Sequence, residues 1–228
     1  MSGGRLPVRT RLATGSAGPP AGSAGARAVL GVFALLAAVH LGALAVAAET
    51  AEHLTKPALM PVLAGYVLLR GGPRPLVAAL LFGCGGDTLL QIGGDAAFLA
   101  GMASFAAGHV CYLLLFRRAG GRVPPLLAAG YGVAWLGTVA LLWPDLPAGL
   151  RLPVAGYSLL LTAMAAAALR AGPLAAAGGA LFLLSDTLIA TGIADWPQAP
   201  APGFWVMLTY LAAQYALTAG ILRTVRAG

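Results

Sequence analysis

"LLFGCGGDTLLQIGGD", Leu80 to Asp95, places an aspartate, Asp87, inside a run that otherwise reads as lipid-facing hydrocarbon. Farther along, "ALFLLSDTLIATGIAD", Ala180 to Asp195, sets Asp186 in nearly the same frame. Each run is long enough to cross a bilayer as a helix, and each holds one acid at membrane depth. The glycines of "FGCGGD" do not form a phosphate-cradling loop: they fall within a helical run, and the lysine of a P-loop is missing.

Composition agrees with this reading along the whole chain. Of 228 residues, 59% are hydrophobic and 9% charged, with mean hydropathy +0.85. A water-soluble domain carries charge on about a quarter of its residues. The chain is therefore read as a polytopic, all-α membrane protein. A net charge of +7 would point to nucleic acid in a soluble protein. Beside apolar spans it is a topology signal, and no nucleic-acid partner is expected. Cys84 and Cys111 both lie in apolar runs, where a cysteine acts as a small hydrophobe.

Residues 1–27, rich in Gly, Ala, Pro and Ser and carrying Arg5, Arg9, Arg11 and Arg27, read as a disordered basic cytoplasmic tail. Residues 28–225 read as the transmembrane helical domain. Its first run, 28–48, is longer than a signal-peptide core and is expected to be a retained helix. Further runs follow at about 55–70, 74–92, 96–116, 123–143, 152–170, 173–194 and 203–223, giving about eight membrane-spanning helices joined by short loops. With the N-terminus inside, Arg70, Arg74, Arg117, Arg118, Arg122, Arg170, Arg223 and Arg226 all fall on the cytoplasmic side of a cell membrane, leaving only Lys56 and Arg151 outside. Both termini are then cytoplasmic. Superposing Gly86-Asp87-Thr88-Leu89 on Ser185-Asp186-Thr187-Leu188 suggests two four-helix halves of the same orientation.

An ionisable side chain at membrane depth costs at least about 2.5 to 3.5 kcal/mol on insertion scales, so it usually faces a bundle interior and has a function. Asp87 and Asp186 are the first candidates, both placed toward the outer half of the bundle. His109 and Tyr112 in "FAAGHVCY" are three apart and are expected to share a helix face; Tyr210 and Gln214, four apart, are expected to do the same. Lys56 is the sole lysine among fourteen basic residues, a compact charge suited to a phosphate. A structural reading stands beside each of these. Either aspartate can bridge helices, for instance by pairing with Lys56. His109 can be a packing histidine, Tyr210 and Gln214 interhelical hydrogen-bond partners, and Lys56 a snorkelling interfacial residue. No metal-ligand spacing, cofactor loop or serine nucleophile elbow is present, which leaves carboxylate acid–base chemistry.

Taken in order, "TKP" (Thr55 to Pro57), "GD" (Gly86, Asp87), "FxxGHxxY" (Phe105 to Tyr112), "LFxxSDxxxA" (Leu181 to Ala190) and "YxxxQ" (Tyr210 to Gln214) resemble the YhhN family of lysoplasmalogenases over residues 29–223. The resemblance implies cofactor-independent hydrolysis of the vinyl ether bond of lysoplasmalogen, a single-chain phospholipid, to a fatty aldehyde and a glycerophospho head group. The chemistry suits two carboxyls. A proton delivered to the alkene carbon creates an oxocarbenium ion, to which water adds, and a neutral acid and a carboxylate can divide that work as in glycosidases. Asp87 and Asp186 are the expected pair, His109 and Tyr112 the orienting or relaying groups, with Lys56 meeting the substrate phosphate and Tyr210 and Gln214 lining the substrate site. A proton-coupled small-molecule or lipid transporter is the alternative, since repeated halves with one acid each also describe carriers. Oligomeric state is not legible in the sequence.

Overall fold

A computed structural model describes residues 21–227; the part of the expected tail at 1–20 lies outside the described residues. Among the described residues there are eight α-helices and no strands: α1 (Ala21–Ala45), α2 (Glu49–Leu69), α3 (Arg74–Ile92), α4 (Asp95–Arg118), α5 (Pro125–Leu142), α6 (Ala148–Ala168), α7 (Pro173–Ile193) and α8 (Pro202–Ala227). A short 3₁₀ turn, Leu169–Ala171, extends α6.

Helix starts differ from the hydropathy reading wherever helix formers precede the apolar run. α1 begins at Ala21 rather than 28, because alanine favours helix without needing a lipid contact. α2 begins at Glu49 rather than 55. Glu49 and Glu52 occupy its first turn, where negative charge complements the helix dipole, so a segment expected as loop is helical. α6 starts at Ala148 and carries Pro153 inside it. Reversals are abrupt: α3 and α4 are separated by Gly93 and Gly94 alone, at φ 79° and 84°, a left-handed conformation that glycine adopts without Cβ strain.

Seven of the eight helices are long and apolar enough to cross a membrane. α2 is the exception to the expected eight: it has the length, about 31 Å at 1.5 Å per residue, but bears Glu49, Glu52 and Lys56 near its start. Short connections make successive helices antiparallel, and charge is then segregated along the bundle. Arg70, Arg74, Arg117, Arg118, Arg122, Arg170 and Arg223 gather at one end. Of the seven acidic residues, Glu49, Glu52, Asp95, Asp145 and Asp195 lie at the other end, and only Asp87 and Asp186 lie within spans.

Small residues bring the helix backbones together, as lipid-embedded packing requires. The closest pairs are α3 with α4 and α7 with α8, the last two helices of the first four and of the last four. A Cβ at Gly86 would lie 2.5 Å from the Phe105 ring of α4, and one at Gly178 would lie 2.7 Å from the Leu217 backbone nitrogen of α8. α5 stands apart: its sole buried residue is Leu142. The gap between α5 and the rest of the bundle is where the cavity forms.

Candidate active site

A cavity of about 120 Å³ lies among α4, α5, α6 and α7. Its wall is chiefly apolar, from Phe98, Met102 and Phe105 to Leu142, Leu161 and Ile193. Asp186 and Tyr157 interrupt it deep in the bundle, and Arg151 interrupts it near the acidic end. A pocket with this character suits a long hydrocarbon chain with one reactive polar point.

At that point the Tyr157 hydroxyl donates to Asp186 Oδ2, and the Tyr157 oxygen lies 3.1 Å from His109 Nε2. Since the single hydroxyl proton of Tyr157 is committed to Asp186, His109 must donate through Nε2–H, which leaves Nδ1 as an acceptor. That Nδ1 is buried without a partner. Asp186, Tyr157 and His109 thus form a chain across α7, α6 and α4. Asp186 lies about 10 Å from the end of α7, counting back from Ile193 at 1.5 Å per residue.

Asp87 keeps different company. Its Oδ1 is 3.7 Å from Lys56 Nζ, in an ion pair in which the Asp87 side chain is 5% exposed and that of Lys56 19%. Its Oδ2 has no hydrogen-bond partner, and neither has the buried Tyr210 hydroxyl facing it. Tyr210 and Gln214 share a face of α8: over Gly83 of α3, the Tyr210 oxygen and Gln214 Nε2 come within 2.9 and 3.2 Å of where a Cβ would sit. The Tyr112 hydroxyl donates to Gln214 Oε1 at 2.6 Å, entirely within the bundle, which orients the Gln214 amide toward α3. Asp87 does not line the cavity.

Aromatic rings of α4, α7 and α8 pack against one another beside these networks. Phe105 and Phe182 meet edge to face with centroids 6.4 Å apart; Tyr210 packs on both, at 6.0 and 5.4 Å, and the His109 ring packs on Phe182 at 4.8 Å. Phe105 also forms part of the cavity wall, so the Asp87 side lies behind it.

The seven residues singled out in the sequence therefore fall into two groups. His109 and Asp186 join through Tyr157, whereas Tyr112, Gln214, Tyr210, Lys56 and Asp87 gather around α3. His109 and Tyr112, expected on one face, reach different helices. Lys56 pairs with Asp87 rather than standing free at a rim. Tyr157 is the residue that sequence pattern alone does not single out; the signal available was a tyrosine beside Ser158 and four residues before Leu161 in an apolar helix, with Thr162 prolonging the polar edge. His40 of α1 is a second, buried with Nδ1 2.7 Å from Thr55 Oγ1, next in sequence to Lys56.

Fold and site together define a class, integral-membrane helical bundles with two buried aspartates inside the spans, one of them on the wall of an apolar cavity. Within that class the chain belongs to the YhhN family, whose model matches residues 51–221. Among curated proteins it is 36% identical to the lysoplasmalogenase TMEM86B of Sus scrofa over 71% of this chain and 72% of that one. It is 34% identical to the lysoplasmalogenase TMEM86B of Homo sapiens, over 68% of this chain and 66% of that one. The protein of the same name from Rattus norvegicus is 34% identical over 56% of this chain and 54% of its own length. No solved structure matches the chain.

Proposed function

We propose that the protein is a lysoplasmalogenase-like hydrolase that cleaves the vinyl ether bond of a membrane-borne lysoplasmalogen, releasing a fatty aldehyde and a glycerophospho head group. The observation that carries this reading is Asp186: one carboxyl on the wall of an apolar cavity, with Oδ2 taken by Tyr157. The names of the relatives point the same way.

In this mechanism the hydrocarbon chain lies in the cavity with its vinyl ether at Asp186. Asp186, in its acid form, keeps Oδ2 bound to Tyr157 and gives the proton on Oδ1 to the alkene carbon distal to the ether oxygen. The π electrons form the new C–H bond, and the positive charge is shared between the ether oxygen and its neighbouring carbon. Asp87, held as a carboxylate by Lys56, stabilises that cation. Water adds to the cationic carbon and its surplus proton returns to Asp186. The resulting hemiacetal then breaks its C–O bond to glycerol as its hydroxyl proton passes to the departing glycerol oxygen, giving aldehyde and alcohol. His109 fixes the direction of the Tyr157 hydroxyl; Tyr112, Gln214 and Tyr210 position the Asp87 side. No step in this scheme requires a cofactor.

The bundle is placed in the cell membrane with its arginine-rich end and both termini in the cytoplasm, which follows the usual bias of basic residues. Arg151 and the acidic end then face the outer leaflet.

Aldehyde release from lysoplasmenylethanolamine and lysoplasmenylcholine by the purified protein in detergent tests the proposal. Turnover by wild type that is lost in Asp186→Asn is the expected result. A folded wild type that releases no aldehyde from either lipid overturns it.

A further inference from the structure

Arg151 is misplaced by every rule that governs the other arginines of the spans. It lies at the acidic end of the bundle, where Glu49, Glu52, Asp95, Asp145 and Asp195 gather. It is the fourth residue of α6, where a positive charge opposes the helix dipole. Among the described residues it has no carboxylate partner, although Asp145 is near in sequence; Asp145 Oδ2 instead accepts from Trp196 Nε1 at 2.8 Å.

The side chain is nevertheless fixed. Its Nε donates to the Leu146 carbonyl and its Nη2 to the Pro144 carbonyl, both at 3.1 Å. A guanidinium has five N–H donors, so three remain, and the residue lines the cavity that holds Asp186. A guanidinium oriented by backbone carbonyls, with free donors and no counter-ion, on the wall of an apolar cavity, is a site for a phosphate oxygen pair. Lys56, the other cation outside the arginine-rich end, is engaged by Asp87 and does not line this cavity.

We infer that Arg151 binds the phosphate of a single-chain phospholipid whose hydrocarbon occupies the cavity, and so sets the depth at which the chain enters. This rests on the proposed function for the identity of the reacting bond. The spacing supports it: Tyr157 follows Arg151 by six residues on α6, about 9 Å at 1.5 Å per residue. In a lysoplasmalogen seven bonds separate phosphorus from the carbon to be protonated, also about 9 Å when extended with bonds near 1.5 Å. Phosphate at Arg151 therefore lies toward the acidic end from Tyr157 and Asp186, with the chain running from it into the same cavity.

The test compares two substrates in aldehyde release, lysoplasmenylcholine and the phosphate-free 1-alkenylglycerol, with wild type, Arg151→Gln and Arg151→Lys. A charge-assisted hydrogen bond corresponds to about tenfold or more in affinity. Arg151→Gln is expected to narrow the preference for the phosphate-bearing substrate, read as the ratio of KM values, by about that factor, and Arg151→Lys to recover part of it. An unchanged ratio in Arg151→Gln overturns the inference. Binding of a saturated alkyl lysophosphocholine, followed by tryptophan fluorescence, provides an arm independent of turnover. Weaker binding in Arg151→Gln supports the subsite even if wild type releases no aldehyde, in which case the reaction assigned above fails alone. Equal binding by wild type and Arg151→Gln overturns the subsite whatever the activity. Inorganic phosphate is expected to compete poorly; competition as effective as that of the lipid overturns the assignment to a lipid-borne phosphate.

Discussion

Asp87 and Asp186 sit in α3 and α7, the third helix of the first four and of the last four, and each is met by a side chain from the helix before its own, Lys56 from α2 and Tyr157 from α6. The partners differ in kind. A cation beside Asp87 favours its charged form, whereas a phenol gives Asp186 a directed hydrogen bond without a compensating charge. Asp186 also opens on the cavity, while Asp87 lies behind Phe105. The same local sequence frame, GD in one half and SD in the other, thus yields two electrostatic environments. In the proposed mechanism the roles of the two carboxylates follow from the neighbouring helix, not from the motif holding the acid.

The comparison breaks first at the carboxylates themselves. Asp186→Asn is expected to lower turnover by about 10²- to 10⁴-fold, the usual contribution of a general acid, with melting behaviour close to wild type. Aldehyde release and thermal unfolding in the same detergent measure both. Asp87→Asn is expected to lose turnover and also stability, because the Lys56 ammonium loses its partner. Breaking a fully buried pair costs about 3 to 5 kcal/mol; Lys56 retains some access to water, so about 1 to 3 kcal/mol is expected here. Adding Lys56→Met to Asp87→Asn should restore stability but not turnover. Equal stability of the two single variants would mean that the halves are equivalent after all. A smaller effect is expected from Tyr157→Phe, about tenfold in kcat, which is one hydrogen bond near 1.4 kcal/mol. It leaves the ring packed on His109 and removes only the group that directs Asp186; an unchanged kcat would detach Tyr157 from the chemistry.

Much of this site was legible in the chain because an acid or a lysine inside a hydrocarbon run is expensive, and so conspicuous. That cost marks Asp87, Asp186 and Lys56 as individuals. It does not reveal which of them meet, since the partners come from different helices and the rotation of a helix in a lipid bundle leaves only a weak trace in sequence. An apolar face toward lipid and an apolar face toward protein look alike. For this reason His109 and Tyr112, correctly read as neighbours on α4, were not separable into two networks. Tyr157 was hidden for a related reason: a tyrosine in a membrane helix ordinarily marks the interface. The extended start of α2 was masked by its charges, which argue against a membrane span but favour a helix N-terminus.

The smallest effect asks whether the network behind Phe105 does more than hold Asp87 in place. Tyr112 donates to Gln214 at 2.6 Å in a fully buried contact, and Gln214 in turn turns its amide nitrogen toward Gly83 beside Tyr210. Tyr112→Phe removes one donor and leaves Gln214 Oε1 unsatisfied, at a cost of about 1 kcal/mol or somewhat more. The ring itself stays packed on Phe116 at 6.2 Å, so the loss is confined to the hydroxyl. If the Asp87 half supplies only a fixed negative charge, kcat should fall by less than about threefold, well under the loss in Tyr157→Phe. A loss as large as that of Tyr157→Phe would mean that protons also move along Tyr112, Gln214 and Tyr210. The two halves would then share the proton transfer that the proposed mechanism gives to Asp186 alone.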